Sequence, residues 1–238
     1  MPTLGIIGSG HIGTAIARLA VAAGIPVVMA NSRGPHSLAR LTGELGPLAD
    51  AGTAEEAARA GDLTLTCVPL TAVPTLPADA LRGRTVLDTT NYHPHRDGRI
   101  TPLDREELTT GELVRQHLPG ARLVKAFNTI LAHHIPQLAR PTGAPDRSAL
   151  PLAGDDADAK ASAARLIDRL GFDTVDAGPL AASWRFEPGS TACIRLYAAD
   201  PDVPHTRLPD VPALPVPAEG LRAALTHSRR VRVADRMF

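Results

Sequence analysis

Short apolar runs alternate with helical stripes through most of the chain. Leu4–Ile7 is apolar almost without interruption, as expected of a parallel strand covered on both faces. From His11 to Ala23, Ile12, Ala15, Ile16, Leu19, Ala20 and Ala23 fall on one stripe at helical spacing, and Gly24 ends the run. Pro26–Ala30 predicts a second strand, so Leu4–Ala30 reads as strand, turn, helix, strand. Pro35 suits a first helical position, with Leu38, Leu41 and Leu45 behind it. Thr53-Ala54-Glu55-Glu56 is a capping box that opens another helix. Apolar runs at Leu63–Val68, Thr85–Leu87 and Arg122–Phe127 predict further strands, with a helix at Thr110–Leu118 between the last two. The alternation predicts an α/β fold, a Rossmann-type doubly wound parallel sheet.

The pattern changes past Pro141–Arg147, which reads as a linker. Short strands at Leu150–Ala153 and Phe172–Val175 flank an Ala-rich helix at Asp156–Leu170. This predicts a first domain over residues 1–148 and a small C-terminal α/β region over 149–238. Six prolines between Asp200 and Pro217 exclude a regular helix or central strand there and predict an extended strap. A last helix is expected over Ala218–Arg232. Its Leu221, Ala224 and Leu225 form one apolar stripe, which an extended arm would deliver to a second subunit; a homodimer is the expectation. Arg229, Arg230, Arg232 and Arg236 read as a solvated helix end favoured by the macrodipole.

Charge narrows the function. Twenty-five basic and 25 acidic residues cancel, so the broad positive surface of a nucleic-acid binder is not expected. No apolar run reaches membrane-spanning length, and the N-terminus lacks a signal-peptide pattern, so a cytoplasmic protein is expected. Cys67 and Cys193 lie too far apart in sequence for a C-x-x-C unit and read as reduced structural thiols.

Gly8-Ser9-Gly10-His11-Ile12-Gly13 matches G-x-G-x-x-G where it has meaning, after a strand and at the start of a helix. Gly8 permits the tight turn, Gly10 the approach of a pyrophosphate, and Gly13 close packing of helix on sheet. The second strand ends in Asn31-Ser32-Arg33-Gly34, without the carboxylate that would accept from the ribose 2′-hydroxyl of NAD. Ser32 and Arg33 are suited to hold a 2′-phosphate, so NADP(H) is the expected cofactor.

With these motifs in view, the chain resembles the coenzyme F420-dependent NADP oxidoreductases, which use a deazaflavin. The matching stretches are Gly5–Gly13, Asn31–Pro35, Thr66–Pro69, Asp88–Tyr92, Val124–Asn128, Ala153–Asp156, Gly171–Asp173 and Val175–Leu180. The resemblance covers residues 3–188; the Pro-rich end departs from it. It implies cofactor contacts from Ser9, Gly10, His11 and Ile12, and from Asn31, Ser32 and Arg33. It also implies that Val68, Pro69 and Leu70 flank the cofactor and that Asn91 lies near the nicotinamide ribose. Deazaflavin coenzyme F420 is the implied co-substrate.

Hydride transfer between organic carriers needs alignment and exclusion of water more than it needs side-chain chemistry. No catalytic residue stands out. Tyr92, His93, His133 and His134 follow strands that should end at the site and are candidate proton donors. His93-Pro94-His95 and His133-His134 lack the remaining ligands of a zinc site, so no metal is expected. Seven aromatic residues leave few groups to stack on a tricyclic ring: Tyr92, Phe127, Trp184, Phe186 and Tyr197. Two other readings stand beside deazaflavin reduction. One is an NADPH-dependent reductase of a small carbonyl, imine or enone; the other is an NADPH-sensing module without turnover.

Overall fold

The computed structural model describes residues 3–233. Strand β1 (Leu4–Ile7), helix α1 (His11–Ala22) and strand β2 (Val27–Ala30) form the expected opening unit. Then come α2 (Ala39–Leu45), β3 (Ala49–Ala51), α3 (Ala54–Ala60) and β4 (Leu63–Thr66). Strand β5 (Thr85–Asp88), helix α4 (Thr110–His117) and strand β6 (Arg122–Lys125) continue the alternation. The Thr53–Glu56 capping box forms: Thr53 N–H donates to Glu56 Oε2 at 2.7 Å, and Glu56 N–H donates to Thr53 Oγ1 at 3.2 Å. Strand β3 was invisible in the sequence because Ala-Asp-Ala is too short to show a period.

One sheet runs through the molecule in the order β3-β2-β1-β4-β5-β6-β7-β8. The first six strands are parallel, and the order reverses at β1, where α/β sheets open a crevice beyond their carboxyl ends. Apolar side chains fill both faces. Ile6, Ile16, Met29 and Leu87 belong to one buried cluster, and Ile7, Val86, Tyr92 and Val114 to the other.

The small C-terminal region joins this sheet through β7 (Ala149–Gly154), which runs antiparallel to β6. After β6 the chain stays at the carboxyl edge, makes only the short α5 (His134–Leu138), and re-enters the sheet from the same side. Only two pairs register, Val124 with Gly154 and Lys125 with Ala153. Residues 149–152 therefore project beyond β6 by about 13 Å. Helix α6 (Ala157–Arg169) leads to β8 (Asp173–Asp176), which pairs parallel with β7. The sheet is thus continuous across the position expected to divide two domains.

The strap is not simply extended. It makes a 3-10 turn at His205–Asp210 and a bridge between Ala198 and Ala213, and it buries Leu208, Val211 and Val216. Its final helix, α7 (Ala218–His227), stops short of the expected Arg232. Leu221, Ala224 and Leu225 are buried, and the helix packs on β7 and β8 of its own chain. The stripe offered to a second subunit is consumed within the first. Arg230 turns back to the Leu108 carbonyl and to Glu106, rather than standing on a solvated helix end. Arg236 lies outside the described residues.

At the carboxyl ends of β5 and β6, Lys125 Nζ meets Asp88 Oδ2 at 2.7 Å, with both side chains fully buried. Lys125→Met should destabilise the protein by about 3–5 kcal/mol, because it strands a buried carboxylate. The double variant Asp88→Leu/Lys125→Met should lose distinctly less. Urea unfolding midpoints test the order; a double variant weaker than the single would contradict it.

Candidate functional site

The glycine turn lies beyond the carboxyl end of β1. Gly8 adopts φ +118°, and a Cβ there would stand 2.2 Å from the Cys67 carbonyl oxygen. A Cβ on Gly13 would stand 2.0 Å from the Gly8 oxygen. Those two glycines are demanded by the fold. Gly10 is different: a Cβ there meets nothing within 4 Å, so the fold itself does not require a glycine at this position. Gly10 also caps α1 without a side-chain hydrogen bond, and no acidic residue occupies the first turn. The first N–H groups of a 12-residue helix are left for an anion. Ser9, His11 and Ile12 surround that end.

At the end of β2, Asn31 holds the next loop in shape. Its Nδ2 donates to Ser9 Oγ at 3.0 Å and to Ser37 Oγ at 2.9 Å, and its Oδ1 accepts from the Arg33 N–H at 2.9 Å. Ser32 and Arg33 are exposed, and Arg33 makes no ion pair among the described residues. A cleft of about 380 Å³ joins Gly8, Ser9 and Gly10 to Asn31, Ser32 and Arg33, with Cys67, Val68, Pro69, Ala72 and Leu76 as its apolar wall. It has an open glycine turn, an unpaired guanidinium and no carboxylate. That donor set fits a dinucleotide bearing a 2′-phosphate. Leu70 does not join the wall; it is 3% exposed and turns into the core. Burial pushes the Cys67 thiol up to about 12.

At the ends of β5 and β6 two asparagines clasp each other. Asn91 Nδ2 donates to the Asn128 carbonyl at 2.7 Å, and Asn128 Nδ2 donates to Asn91 Oδ1 at 3.1 Å. Asn128 Nδ2 also donates to the Phe186 carbonyl at 2.9 Å, which brings the C-terminal region over the strand ends. Phe127, next to Asn128, lies in the left-handed region at φ 59°, an uncommon conformation for a bulky residue, with its ring edge to face with Phe172. Beneath the clasp, Lys125 donates to Asp88 Oδ2, to Thr90 Oγ1 and to the Thr90 carbonyl. Sequence reasoning assigned no role to Lys125, Asp88 or Thr90. The available signal was a charge at the end of each of two neighbouring apolar strands.

The candidate proton donors disperse. Tyr92 is buried, its hydroxyl accepting the Ile100 N–H at 3.0 Å and facing Asp104 Oδ1 at 2.9 Å. Burial, with the Asp104 carboxylate, holds the phenol above its ordinary range. His93 is half-buried; burial and the Arg96 guanidinium bring it down to about 4, so it is neutral at pH 7. His134 is fully buried and donates from Nε2 to the Val211 carbonyl at 2.8 Å. His133 lines a second cleft of about 560 Å³ with Ser9, Gly10, His11 and Arg18, on the α1 side of the glycine turn. Of the aromatic candidates, Tyr92, Phe127, Phe186 and Tyr197 are all fully buried. Trp184 is half-buried and packs under Arg185, 5.5 Å from its ring centre.

Two outcomes check this geometry. Gly10→Val should abolish dinucleotide binding by calorimetry while circular dichroism stays native, whereas Gly13→Val should disrupt the fold itself. Half-buried Cys67 should react only slowly with iodoacetamide at pH 8 in the native protein, since its thiolate is scarcely populated there; rapid labelling would contradict the raised pKa.

Comparison with known proteins agrees with this architecture. Residues 3–92 match the family described as NADP oxidoreductase, coenzyme F420-dependent. A hypothetical protein from Sinorhizobium meliloti, SMa0349, is 36% identical, with a TM-score of 0.65 over 77% of this chain and 88% of its own. A protein named as an F420-dependent NADP-reductase from Arthrobacter sp. FB24 has the same fold, at 23% identity and a TM-score of 0.66, covering 77% of this chain and 87% of that one. Metalloreductase STEAP3 of Rattus norvegicus is 29% identical over 192 residues, which are 78% of this chain. The match spans only 36% of that relative's length. Among the described residues no helix is long and apolar enough to cross a membrane. Residues 3–92, which hold the open glycine turn and the carboxylate-free second-strand loop, thus carry the domain described as NADP oxidoreductase, coenzyme F420-dependent.

Proposed function

We propose that this chain transfers hydride between NADP(H) and a deazaflavin. The observation that carries the cofactor half is the Asn31–Gly34 loop, where a side-chain amide shapes the turn and leaves Arg33 exposed beside an open glycine turn. Bound there, NADPH would supply the hydride from its nicotinamide ring. Ser32 and Arg33 hold the 2′-phosphate, and the first N–H groups of α1 face the pyrophosphate. Val68 and Pro69 pack on the nucleotide, and Asn91 marks the nicotinamide end. The clasped asparagines and the segment over them orient the ring and exclude water, which is most of what this chemistry asks of a protein.

The deazaflavin half rests on the family. One observation favours a second reading, reduction of a small carbonyl, imine or enone. Four of the five aromatic candidates are fully buried and unavailable for stacking on a tricyclic ring.

Arg33→Ala should weaken NADPH binding by about 1.5–3 kcal/mol, roughly 10- to 150-fold, and leave NADH nearly unchanged. Equal NADPH affinity in the variant would overturn the phosphate assignment. Anaerobic oxidation of NADPH, followed at 340 nm with a deazaflavin, with FMN and with small carbonyls, separates the two acceptor readings. No oxidation with any acceptor leaves only a binding module.

A further inference from the structure

Ser162, Arg165, Leu166 and Arg169 recur at helical spacing along α6, so they share one face of that helix. This face borders the amino ends of β1 and β4, and a cavity of about 320 Å³ lies between them. Leu4, Ile25 and Leu63 line its other side. The cavity sits at the opposite end of β1 from the glycine turn, so the cofactor cleft does not account for it.

Floor and rim differ in chemistry. Leu4, Ile25 and Leu166 are buried and Leu63 is half-buried, so the floor is hydrocarbon. The backbone at that edge is already engaged: the Leu4 N–H donates to the Pro26 carbonyl at 2.9 Å, and the Asp62 N–H to the Thr3 carbonyl at 2.9 Å. Arg165 and Arg169 are exposed at the rim. Arg165 Nη2 donates to Ser162 Oγ at 2.8 Å, and Arg169 Nη2 to the Ala23 carbonyl at 3.2 Å. Both partners are neutral oxygens, which steady each guanidinium and leave its charge uncancelled. Neighbouring carboxylates are occupied elsewhere. Asp62 accepts the Thr3 N–H at 2.8 Å, and Asp168 pairs with Arg147 at 2.8 Å.

We propose that this cavity binds a small carboxylic acid with a hydrocarbon body. The body lies on Leu4, Ile25, Leu63 and Leu166, and Arg165 and Arg169 hold the carboxylate. An apolar floor gains from burying methylene groups, and the forked guanidinium matches the planar carboxylate. The volume is at the lower end for ligand pockets and suits a chain of about eight carbons. Leu4 and Leu63 belong to β1 and β4, whereas α6 belongs to the C-terminal region, so the occupant bridges the two. None of these residues takes part in the cofactor site, and the inference does not rest on the functional reading above.

The test is calorimetric titration of octanoate, acetate and octylamine into the full-length protein, below micelle-forming concentrations. Octanoate should bind saturably. Acetate, which lacks the body, should bind about 10-fold or more weakly, and octylamine, with the charge reversed, should give no saturable heat. The Arg165→Gln/Arg169→Gln variant should bind octanoate about 10-fold or more weakly, as expected for lost charge-assisted hydrogen bonds. Both positions are exposed, and circular dichroism checks that the variant is folded. Ser162→Leu, which narrows the cavity with the arginines in place, should weaken octanoate as well. No saturable binding of octanoate, equal binding of octylamine, or full octanoate affinity in either variant overturns the proposal.

Discussion

An ammonium and a carboxylate sealed from water at the ends of two adjacent strands set the terms for everything around them. Lys125 has three donors, and the structure uses them on Asp88 Oδ2, the Thr90 hydroxyl and the Thr90 carbonyl. The other oxygen of Asp88 accepts the Thr90 N–H at 3.0 Å. A buried charge tolerates no vacancy among its partners, since each loss leaves an unscreened group in a medium of low dielectric. The backbone through Thr90 is consequently held at one position, and Asn91 follows it directly. On the other strand, Ala126, Phe127 and Asn128 leave Lys125 with no freedom of register. The asparagine clasp is the outward face of this inner pair.

Much of the sheet was legible because each parallel strand is covered on both sides and each helix on one. Apolar continuity and helical spacing then report the layers directly. The glycine motif was legible for a similar reason, since Gly8 and Gly13 are demanded by contacts within a few residues or across one neighbouring strand. Illegible features depend on distant partners. The reversal at β7 follows from where the chain travels between residues 126 and 148, which no local period encodes. Phe127 takes a left-handed conformation and packs on Phe172, 45 positions later, and nothing about a phenylalanine announces either.

The histidines show the same limit in the candidate site. Proximity to strand ends suggested four comparable proton donors, yet their surroundings separate them. Tyr92 braces a loop through Ile100 and Asp104, and His134 is spent on a backbone carbonyl. His133 opens onto the α1 side of the glycine turn, and His93 belongs to a basic surface. A residue's distance from a strand end is set by sequence, but the direction it faces is set by what packs against it.

The two-pair overlap of β6 with β7 has an evolutionary consequence. Phe186, Tyr197 and Val211 are hydrogen-bonded to Asn128, Ala149 and His134, and none of these three partners belongs to the ladder of the first six strands. Buried Phe186, Tyr197, Leu208 and Val211 anchor this segment, so changes of length or composition fall on the exposed stretch at 199–207 between those anchors. Natural variation in this architecture has a place to act there, because the half that carries the glycine turn and the half that roofs the strand ends are built from separate stretches of chain.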